Sequence, residues 1–437
     1  MLYVPYRPRA NPTRDVFQPS EGTRRVILRA YRVELDPNDR QRTAFVRQAG
    51  AVRFVYNWGL ATLQKDYANK KAATPEGEKV KGGLRPLDLS VRLPDLKVDY
   101  PWLSEVSAQS LQTSLRNLDR AFQAFFRRVK AGQTPGYPRF KKRGVSKPSF
   151  QFPQKVSLTD THVRLPKIGP VRLRRRGYVP TGFPIKTVTV SERAGRWFAT
   201  VLVEAPDPPK VIPTGEVIGI DLGIKTLATV SDGTSFANPK HLERSQSALK
   251  HLQRKLSRQK KGSARRAKTK ARIAKAHARI SNQRADNIHK MTSEIVKTKR
   301  PTAIVIEDLN VSGMVKNHRL ARSVSSASFA EIRRQLDYKC EWYGVKLIVA
   351  DRFYPSSKTC NGCGEVKTDL SLGERTYVCD RCGYTKDRDV NAALNLRGWG
   401  MTYLAGGNSA TARGGSVRPG AIRADSVETR TDQGTAP

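Results

Sequence analysis

The chain has 437 residues, and its 80 Lys and Arg outnumber 38 Asp and Glu, for a formal net charge of +42. A hydrophobic share of 38% supports packed cores in two or three domains, which excludes a basic disordered tail. A charge excess of this size requires a polyanionic partner. Nucleic acid is favoured over an anionic membrane surface, because the chain has neither a membrane-length apolar run nor an apolar N-terminal signal region.

The front of the chain predicts a leader, a strand and two helices. Residues 1–22 are rich in Pro, Arg and small polar residues, and we interpret them as a flexible leader. Alternation from Val26 to Leu35 predicts a strand, after which Asp36-Pro37 predicts a helix start. Residues 70–100 predict a loop-rich connection, and a second amphipathic helix is expected from Val106.

A basic and aromatic segment, Gly136-Tyr-Pro-Arg-Phe-Lys-Lys-Arg143, follows the second helix. Arg and Lys neutralise phosphates while Tyr and Phe stack on bases, so the segment predicts a nucleic-acid-contacting loop, although the motif alone is weak. Residues 161–205 then alternate as strands, with a hairpin turn at Ala194-Gly195. A strand, a helical insert and further strands together predict a β-barrel interrupted by a helical domain.

A Pro-rich linker, Ala205 to Pro213, predicts the main domain boundary. The apolar run from Val217 to Ile224 then predicts a strand buried on both faces, with Asp221 inside it. We expect this strand to continue through Val230 to a hairpin turn at Asp232-Gly233.

Residues 241–300 predict strongly basic helices. Acidic residues four positions away are nearly absent, so an ordinary solvated helix face explains the pattern poorly, and an anionic ligand is expected. The candidate ligand-binding residues here are Arg254, Lys255, Arg265, Arg266, Lys268 and Lys270.

The back of the chain alternates between strands and helices. Residues 303–306 predict a buried strand followed by Glu307. Ser328-Phe-Ala-Glu331 predicts a capping box at a helix start, and Gly344 predicts the end of that helix. A strand is expected over 345–350 and a short helix over 391–397.

Two CxxC pairs separated by fifteen residues predict a zinc ribbon. Four thiolates on two tight turns suit a tetrahedral zinc ion, and the Gly after each pair supplies the positive φ that such a turn requires. The alternative, two disulfides, is disfavoured in a reducing cytoplasm. The fifth cysteine, Cys340, shares a helical stripe with Ile332 and Leu336 and is expected to be buried. The predicted ligands are Cys360, Cys363, Cys379 and Cys382.

Three acids lie where chain segments are able to converge: Asp221 in a buried strand, Glu307 after another, and Asp389 just beyond the ribbon. A carboxylate in an apolar strand is unfavourable unless something pairs with it. The ordinary explanation is a salt bridge to one of the many Arg residues. Convergence of all three would instead bind hard divalent cations such as Mg²⁺, and two such ions support phosphodiester chemistry. Gly223 would let a phosphate backbone come close.

Several motifs together resemble the TnpB family, transposon-associated RNA-guided DNA endonucleases related to the compact type V CRISPR effectors. The resemblance covers residues from about 24 to 400. In the back half the motifs are Gly219-Ile-Asp221-Leu-Gly-Ile-Lys, Ile304-Val-Ile-Glu307-Asp-Leu, Pro355-Ser-Ser-Lys-Thr-Cys360, the two CxxC-Gly turns and Asp387-Arg-Asp389-Val-Asn-Ala-Ala-Leu-Asn395. In the front half they are Arg53-Phe-Val-Tyr-Asn57, Trp102-Leu-Ser-Glu-Val106, Phe125-Phe126 and Gly136-Tyr-Pro-Arg-Phe140.

The resemblance implies an α/β and β multidomain fold. Residues 23–205 would form a wedge β-barrel with a helical recognition insert at about 37–140. Residues 214–400 would form a split RuvC-like nuclease domain of the RNase H fold, with the zinc ribbon inserted at 354–386. The tail, 401–437, would be disordered.

The resemblance also implies the cofactors and partners. Asp221, Glu307 and Asp389 would be the catalytic triad holding two Mg²⁺ ions, with Asp389 preferred over Asp387, and the ribbon would hold one structural Zn²⁺. The partners would be a transposon-derived guide RNA, double-stranded target DNA and its displaced single strand. A monomer with its RNA, in the prokaryotic cytoplasm near the nucleoid and without membrane contact, is expected.

Base reading is expected near the start of the second helix. By alignment to the family's Leu-Gln element, Gln112 is a candidate for reading the target-adjacent motif, with Gln109 and Gln151 as weaker candidates. Some relatives carry a Lys and an aromatic where this chain has Ala108 and Gln109, a departure that bears on which adjacent motif is read. The other nucleic-acid-binding candidates of the front half are Tyr56, Asn57, Arg139, Lys141 and Lys142.

Three rival functions share parts of this pattern. A catalytically silent RNA-guided repressor would not need Asp221, Glu307 and Asp389, so their presence argues against it. A RuvC-like junction resolvase would need neither the ribbon nor the helical front half. A strand-joining transposase would need a Tyr nucleophile in a suitable helical context, which the sequence does not offer.

Overall fold

A computed structural model describes residues 26–206, 213–371 and 373–406. The chain divides into two compact units, Met1–Asp207 and Pro208–Pro437. The predicted leader, most of the Pro-rich linker and the tail beyond residue 406 lie outside the described residues. Among the described residues, no helix combines the length and the apolar character needed to cross a membrane.

The first unit combines antiparallel strands with helices that lie, in sequence, between its first and second strands. Two 3₁₀ turns, Asp88–Arg92 and Pro101–Glu105, flank the short middle helix. The elements are β1 Val26–Asp36, α1 Asp39–Ala73, α2 Leu93–Asp99, α3 Ala108–Lys130, β2 Ser149–Phe152, β3 Ser157–Leu158, β4 His162–Leu165, β5 Gly169–Leu173, β6 Ile185–Arg193 and β7 Arg196–Pro206.

The strands of this unit form one sheet in the order β2-β6-β7-β1-β5-β4-β3, with every neighbouring pair antiparallel. The predicted turn between β6 and β7 is confirmed, with positive φ at Ala194 (55°) and Gly195 (80°). Alternate strand residues fill a core that Phe45, Ala49 and Val52 of α1 enter from the helical side. A second cluster joins α1 to α2 and α3.

The start of α1 differs from the sequence prediction. Asn38, rather than Asp36-Pro37, is the N-cap, because Asn38 and Gln41 form a reciprocal capping box with N–H···O distances of 2.9 and 3.1 Å. The helix then continues to Ala73, into the segment predicted as a loop, and that segment also contains α2.

The second unit has strands and helices that alternate along the chain. A π-helical turn, Glu294–Thr298, extends its longest helix. The elements are β8 Ile218–Asp221, β9 Thr226–Val230, β10 Ser235–Ala237, α4 His241–Arg244, α5 Gln246–Ser257, α6 Ala264–Ser293, β11 Ala303–Ile306, α7 Val311–Met314, α8 Ala321–Ala327, α9 Phe329–Tyr343, β12 Lys346–Val349, β13 Thr376–Val378, β14 Thr385–Asp387 and α10 Arg388–Leu404.

The main sheet of this unit is mixed and has helices on both faces. Its order is β10-β9-β8-β11-β12, in which β8, β11 and β12 are parallel and β8, β9 and β10 antiparallel. In β11, Ile304 and Ile306 pack toward α6 and α9, whereas Ala303 and Val305 pack toward Leu396 of α10. The prediction of strands buried on both faces is therefore confirmed, and the chain has a multidomain α/β fold.

Three local predictions for this unit are wrong. The run from 217 to 230 is two antiparallel strands, β8 and β9, rather than one, and the turn at Asp232-Gly233 joins β9 to β10. Ser328 makes no capping bond, because it lies in the left-handed region (φ 60°) where α8 ends and its hydroxyl donates to the Ser325 carbonyl. The last helix, α10, has 17 residues and extends to Leu404, into the segment predicted as tail.

Candidate metal centres and nucleic-acid interface

The four ribbon cysteines form one compact group whose sulfur atoms all lie within 4.8 Å of one another. The Sγ–Sγ distance is 3.7 Å between Cys360 and Cys382 and 3.6 Å between Cys363 and Cys379. A tetrahedral zinc ion with Zn–S bonds of about 2.3 Å needs sulfurs about 3.8 Å apart. The quartet fits zinc as it stands, and the two-disulfide alternative does not fit four free thiols at these distances.

Each pair of cysteines is held by a turn that ends in glycine. The predicted positive φ is confirmed at Gly364 (79°) and Gly383 (72°). The two glycine amides donate to the carbonyls of Cys360 and Cys379 at 2.9 and 3.0 Å. Backbone bonds close both turns, so most of the thiol geometry follows from local sequence. The first turn is bound in addition by a distant side chain, Asn391.

Asp221 and Glu307 leave the main sheet at the same edge. Asp221 is the last residue of β8, and Glu307 follows directly after β11. The two strands are parallel neighbours with Ile220 paired to Ile306, so the acids occupy the next position on each strand. The carboxyl ends of adjacent parallel strands thus bring two residues 86 positions apart in sequence together.

Asp389 reaches this edge on α10, which packs against the sheet at two glycines. A Cβ at Gly219 of β8 would lie 2.0 Å from the Ala393 carbonyl oxygen, and one at Gly400 would lie 2.3 Å from Val305 Cγ2. At both positions the glycine lets α10 pack directly against the strand, and a larger residue would push the helix and the strand apart. Neither glycine carries a sequence signal for this packing role.

The three carboxylates interact electrostatically. Burial, followed by the nearby charges of Glu307 and Asp389, raises the pKa of Asp221 to about 8, although Arg388 acts in the opposite direction. Solvent still reaches part of the Asp221 side chain. The surroundings of Asp221 disfavour its ionised form, so a cation bound beside the carboxylate would stabilise that form.

Asp387 and Asp389 do different things despite being two residues apart. The Asp387 carboxylate is exposed and caps α10, accepting bonds from the amides of Asp389 and Val390 at 2.9 and 3.1 Å. The Asp389 carboxylate is 19% exposed and lies 3.7 Å from the Arg388 guanidinium. This arrangement supports the choice of Asp389, although the metal-binding role itself stays a prediction.

A salt bridge to arginine, the ordinary explanation for a buried acid, applies to Asp308 rather than to the adjacent Glu307. Asp308 is bound by Arg333 at 2.7 Å and by Arg352 at 2.5 Å. Burial alone raises the pKa of Asp308, but hydrogen bonds from the two arginines outweigh it and lower the pKa overall. Glu307 instead accepts a hydrogen bond from the Ser356 hydroxyl.

The acids do not form a single-ion cage. Across residues 26–206, 213–371 and 373–406, the cysteine quartet is the one group of three or more His, Cys, Asp or Glu ligand atoms that all lie within 4.8 Å. Oxygen-only donors are what Mg²⁺ prefers. The donor type of Asp221, Glu307 and Asp389 and the mutual repulsion acting on Asp221 therefore fit divalent cations shared among the three acids.

The base-reading candidates lie on α3 and β2 of the first unit. Gln112 is exposed on α3. Gln109 is partly buried, and its side-chain oxygen has no hydrogen-bond partner among the described residues. Gln151 donates through its side chain to the Thr187 hydroxyl at 3.0 Å, which orients it along the sheet.

Two of the aromatic and polar candidates serve the structure. Tyr56 is 5% exposed, and the Lys141 ammonium lies 3.8 Å from its ring centroid. Asn57 binds the Lys141 backbone twice, at 2.8 and 3.0 Å. Both side chains therefore fix the 136–143 loop to α1, and their predicted role in nucleic-acid binding stays a prediction. Of the remaining loop candidates, Arg139 and Lys142 are exposed and Lys141 is partly buried.

The burial of Tyr56 was predictable from its spacing on α1, although the residue also belongs to the family-like motif Arg53-Phe-Val-Tyr-Asn57. It lies four residues after Val52 and four before Leu60, on the apolar stripe of α1. Ser356 was also missed as a site residue, although it belongs to the Pro355-Ser-Ser-Lys-Thr motif directly before the first knuckle. Ser356 and Glu307 are 49 residues apart in sequence, so no local sequence pattern predicts their contact.

The basic candidates of the second unit lie on the hairpin of α5 and α6. Arg266 differs from the others, because its guanidinium donates to the carbonyls of Leu256 and Gln259 and thereby closes the end of α5. Its predicted role as a ligand-binding residue does not fit this contact. The exposed candidates are Arg254, Lys255, Arg265, Lys268 and Lys270.

Comparison with family models gives three matches along the chain. Residues 200–318 match OrfB_IS605, described as a probable transposase, and residues 329–396 match a Cas12f1-like TNB domain. Residues 27–72 match a domain described as helix-turn-helix, although the structure has β1 and the single helix α1 there.

Relatives and solved structures give a consistent result. A putative RNA-guided DNA endonuclease of Streptomyces pristinaespiralis is 38% identical over 405 residues, covering 90% of this chain and 92% of that protein. The putative RNA-guided DNA endonuclease InsQ of Escherichia coli (strain K12) is 35% identical over 399 residues, covering 87% and 94%. The Cas12f1 chain of a cryo-EM complex with sgRNA and target DNA has a similar fold, with a TM-score of 0.50, 15% identity and 82% of each chain covered. With this identity over nearly the whole length of both relatives, the chain belongs to the TnpB family, also called OrfB of IS605.

Proposed function

We propose that this protein is an RNA-guided DNA endonuclease whose catalytic centre is formed by Asp221, Glu307 and Asp389. The observation that carries the proposal is the convergence of these acids from two strands and a helix. Burial, followed by the charges of Glu307 and Asp389, raises the pKa of Asp221 to about 8. Carboxylates perturbed by one another and by burial are characteristic of catalytic sites. The relatives named as putative RNA-guided DNA endonucleases support the same reaction class.

We infer a domain role for each of the two units from the sequence prediction and the strand order. Residues 23–205 are the wedge domain with its helical recognition insert at about 37–140, in keeping with helices that interrupt an antiparallel sheet after β1. Residues 214–400 are the split RuvC-like nuclease domain of the RNase H fold. The order β10-β9-β8-β11-β12, with acids at the ends of β8 and β11, supports this assignment. The ribbon at 354–386 is an insertion between β12 and α10.

The two groups of ligands suit different metals. Asp221, Glu307 and Asp389 would hold two Mg²⁺ ions, and the four ribbon cysteines would hold one structural Zn²⁺. When bound, the magnesium ions would activate the attacking water and stabilise the leaving oxygen of the phosphodiester.

The residues around the acids prepare the centre for a phosphate. Ser356 orients Glu307 by donating to it, which leaves the other carboxylate oxygen free of that bond. Asp387 fixes the first turn of α10 and so the position of Asp389. The Arg388 guanidinium beside Asp389 carries positive charge at the same edge, where it offsets repulsion of an incoming phosphate.

The guide RNA and the target DNA bind through basic surfaces. The exposed residues of the α5–α6 hairpin and the 136–143 loop contact phosphates, while Gln112 reads base edges of the target-adjacent duplex. The protein holds the guide–target heteroduplex by its backbone, and base pairing supplies the sequence specificity. It acts as a monomer with its RNA, in the prokaryotic cytoplasm.

Cleavage by guide-loaded protein tests the proposal. Asp221→Ala and Glu307→Ala are each expected to reduce cleavage of a matched plasmid in Mg²⁺ by about 10³-fold or more, because each removes several kcal/mol of transition-state stabilisation. RNA and DNA affinity should stay within about twofold. Asp160→Ala, an exposed acid of the first unit, is the control and should cleave normally.

The same assay separates the rival functions. Wild-type protein that binds the matched duplex and never cuts it would be an RNA-guided repressor. Cutting of four-way junctions without RNA would identify a resolvase. Normal cleavage by Asp221→Ala would rule out the carboxylate centre.

A further inference from the structure

Three buried polar side chains lie between the first zinc knuckle and the carboxylate centre. Ser356 is 2% exposed, Asn391 is fully buried and Asn395 is 5% exposed. Buried amides and hydroxyls are unfavourable unless their hydrogen bonds are made. The partners of these three groups therefore show which parts of the unit must stay together.

The two asparagines bind the backbone on both sides of the zinc ligand Cys360. Asn391 donates to the Thr359 carbonyl at 2.8 Å and accepts from the Asn361 amide at 3.1 Å. Asn395 donates to the carbonyls of Ser356 and Thr359 at 2.8 and 2.7 Å. Its oxygen accepts from the Asn361 side chain at 3.1 Å.

The same three residues also touch the segments that carry two of the acids. The Ser356 hydroxyl donates to Glu307. Asn391 and Asn395 lie on α10, two and six residues beyond Asp389. One continuous set of hydrogen bonds thus runs from the Cys360 knuckle to Glu307 on one side and to the helix of Asp389 on the other.

We propose that Ser356, Asn391 and Asn395 are positioning residues that couple zinc binding in the ribbon to divalent-cation affinity at the carboxylate centre. The inference rests on the proposed function, since it assumes that Glu307 and Asp389 bind the catalytic cations. Zinc fixes Cys360 and hence the adjoining carbonyls of Ser356 and Thr359. When the knuckle opens, the buried amide of Asn395 loses both acceptors and the Ser356 hydroxyl loses its fixed direction toward Glu307.

The residue types match this role. A primary amide supplies donors and an acceptor from one planar group, and both asparagines use both functions on the knuckle. A carboxylate of the same shape lacks the donors, and an aliphatic residue lacks both. Asn391 and Asn395 are four residues apart on α10, so they lie on one face of the helix and bind the same turn of chain.

Binding of Mn²⁺ as a probe, measured by electron paramagnetic resonance on the full-length guide-loaded protein, provides a readout separate from cleavage. Ser356→Ala is expected to weaken Mn²⁺ binding about tenfold, the lower end for loss of a group that orients a metal ligand. Zinc content should remain one per chain. Cleavage should fall at limiting Mg²⁺ and recover as Mg²⁺ is raised, because the affinity changes and the maximal rate does not.

Asn395→Ala is the second variant, and it leaves every metal ligand and Ser356 in place. It should also weaken Mn²⁺ binding about tenfold while retaining zinc. Glu365→Gln is the matched control, an exposed ribbon residue whose side chain pairs with Arg381 on the surface. It should bind Mn²⁺ and zinc as the wild type does.

A double-mutant cycle tests the coupling directly. Cys363→Ser removes a zinc ligand and should by itself weaken Mn²⁺ binding, although Cys363 makes no contact with the acids. If the effect passes through Ser356, Cys363→Ser in the Ser356→Ala background should cause less than about threefold further loss, rather than another tenfold. Fully additive losses would overturn the proposal, as would unchanged Mn²⁺ affinity in both Ser356→Ala and Asn395→Ala.

The outcomes separate this inference from the proposed function. If Asp221→Ala abolishes cleavage while Ser356→Ala and Asn395→Ala bind Mn²⁺ normally, the coupling is wrong and the nuclease centre stands. If Asp221→Ala cleaves and binds Mn²⁺ like the wild type, the centre itself is wrong.

Discussion

The two candidate metal centres of the second unit are built in opposite ways. The candidate zinc site draws all four ligands from two short turns, and its sulfurs lie within 4.8 Å of one another. The carboxylate centre takes Asp221 and Glu307 from neighbouring strands and Asp389 from a helix that follows the ribbon in sequence. Its like charges face one another, so burial and repulsion raise the pKa of Asp221 to about 8.

The difference reflects what each site does with its metal. As proposed, the ribbon is a closed structural site, in which backbone turns set most of the ligand geometry and bound zinc would stabilise the fold. The carboxylate centre brings like charges together at a cost in stability, which protonation of Asp221 or bound divalent cations would relieve. Removing a ligand should therefore have opposite effects on stability at the two sites.

The largest expected effect on stability is at the ribbon. Cys363→Ser removes one of four thiolates, and structural zinc contributes about 10 kcal/mol or more to folding of such small sites. We expect zinc content to fall to near zero and the β13–β14 hairpin to lose amide-exchange protection. Elemental analysis and hydrogen exchange with mass spectrometry measure both.

Asp221→Ala is the matched comparison for Cys363→Ser, since it removes a ligand from the other centre. It should keep both the zinc and the protection of the β13–β14 hairpin. A Cys363→Ser protein with full zinc content and an intact hairpin would contradict the assignment of the ribbon as a closed site.

A smaller effect is expected at the contact that brings Asp389 to the sheet. Ala normally stabilises a helix interior by about 0.5–1 kcal/mol relative to Gly. At Gly398 the added methyl meets open space, so Gly398→Ala should raise the melting temperature. At Gly400 it meets buried Val305, so Gly400→Ala should destabilise by about 1–3 kcal/mol and displace α10.

The Gly398→Ala and Gly400→Ala variants test the position of Asp389 in the carboxylate centre, whereas neither should affect the ribbon. Gly400→Ala should lower cleavage together with stability while zinc content stays at one per chain. Equal melting temperatures for the two variants would show that α10 is free to shift and does not hold Asp389 in place.

The contrast between a site built from local turns and one built from distant segments also explains which features are predictable from sequence. The knuckles were predictable because ligand spacing and glycine position determine them within five residues, and the Ala194-Gly195 hairpin was predictable for the same reason. The number of strands between 217 and 230 was not, because the reversal uses Gly223, whose Cβ would lie 2.7 Å from the Thr226 carbonyl. From sequence, Gly223 is predicted to allow the close approach of a phosphate backbone, and nothing in the sequence signals its role in the turn.

Residue type alone did not separate ligand-binding side chains from structural ones. Arg265 and Arg266 look equivalent in sequence, yet one is exposed and the other closes α5. The three acids were named from their positions at buried strands and beside the ribbon, whereas their assignment as a triad and the choice of Asp389 over Asp387 came from the family resemblance, because spacing carries no information on strand register. Ser356 was missed since its contact with Glu307 exists only after β11 and the ribbon have folded.

A third effect has the opposite sign from the ribbon variant. The pKa of Asp221 is about 8 in the folded protein, against about 4 for an unfolded Asp, so the folded state binds more protons between these values and stability falls as pH rises through them. Asp221→Asn is neutral at every pH. Without added Mg²⁺ it should gain about 5 kcal/mol over the wild type at pH 8, because about four pK units at about 1.4 kcal/mol each separate the folded and unfolded groups, and almost nothing at pH 4.

Melting curves across this pH range measure the effect of Asp221→Asn. Mg²⁺ should reverse the order at high pH, because it stabilises only the protein that binds it. A variant less stable than the wild type at pH 8 without added Mg²⁺ would show that the folded protein does not disfavour the ionised form of Asp221.

The smallest effect distinguishes the two neighbouring acids of α10. Asp387→Ala should cost about 1 kcal/mol, because it removes the side chain that caps the helix, and Asp387→Ser should restore most of that stability by capping in its place. Neither change removes a proposed metal ligand, so cleavage at saturating Mg²⁺ should stay within a few-fold of the wild type. Asp389→Ala should do the reverse, abolishing cleavage while leaving the cap and the melting temperature nearly unchanged. If Asp387→Ser were inactive and Asp389→Ala active, the carboxylate centre would be built from the acid that the sequence analysis rejected.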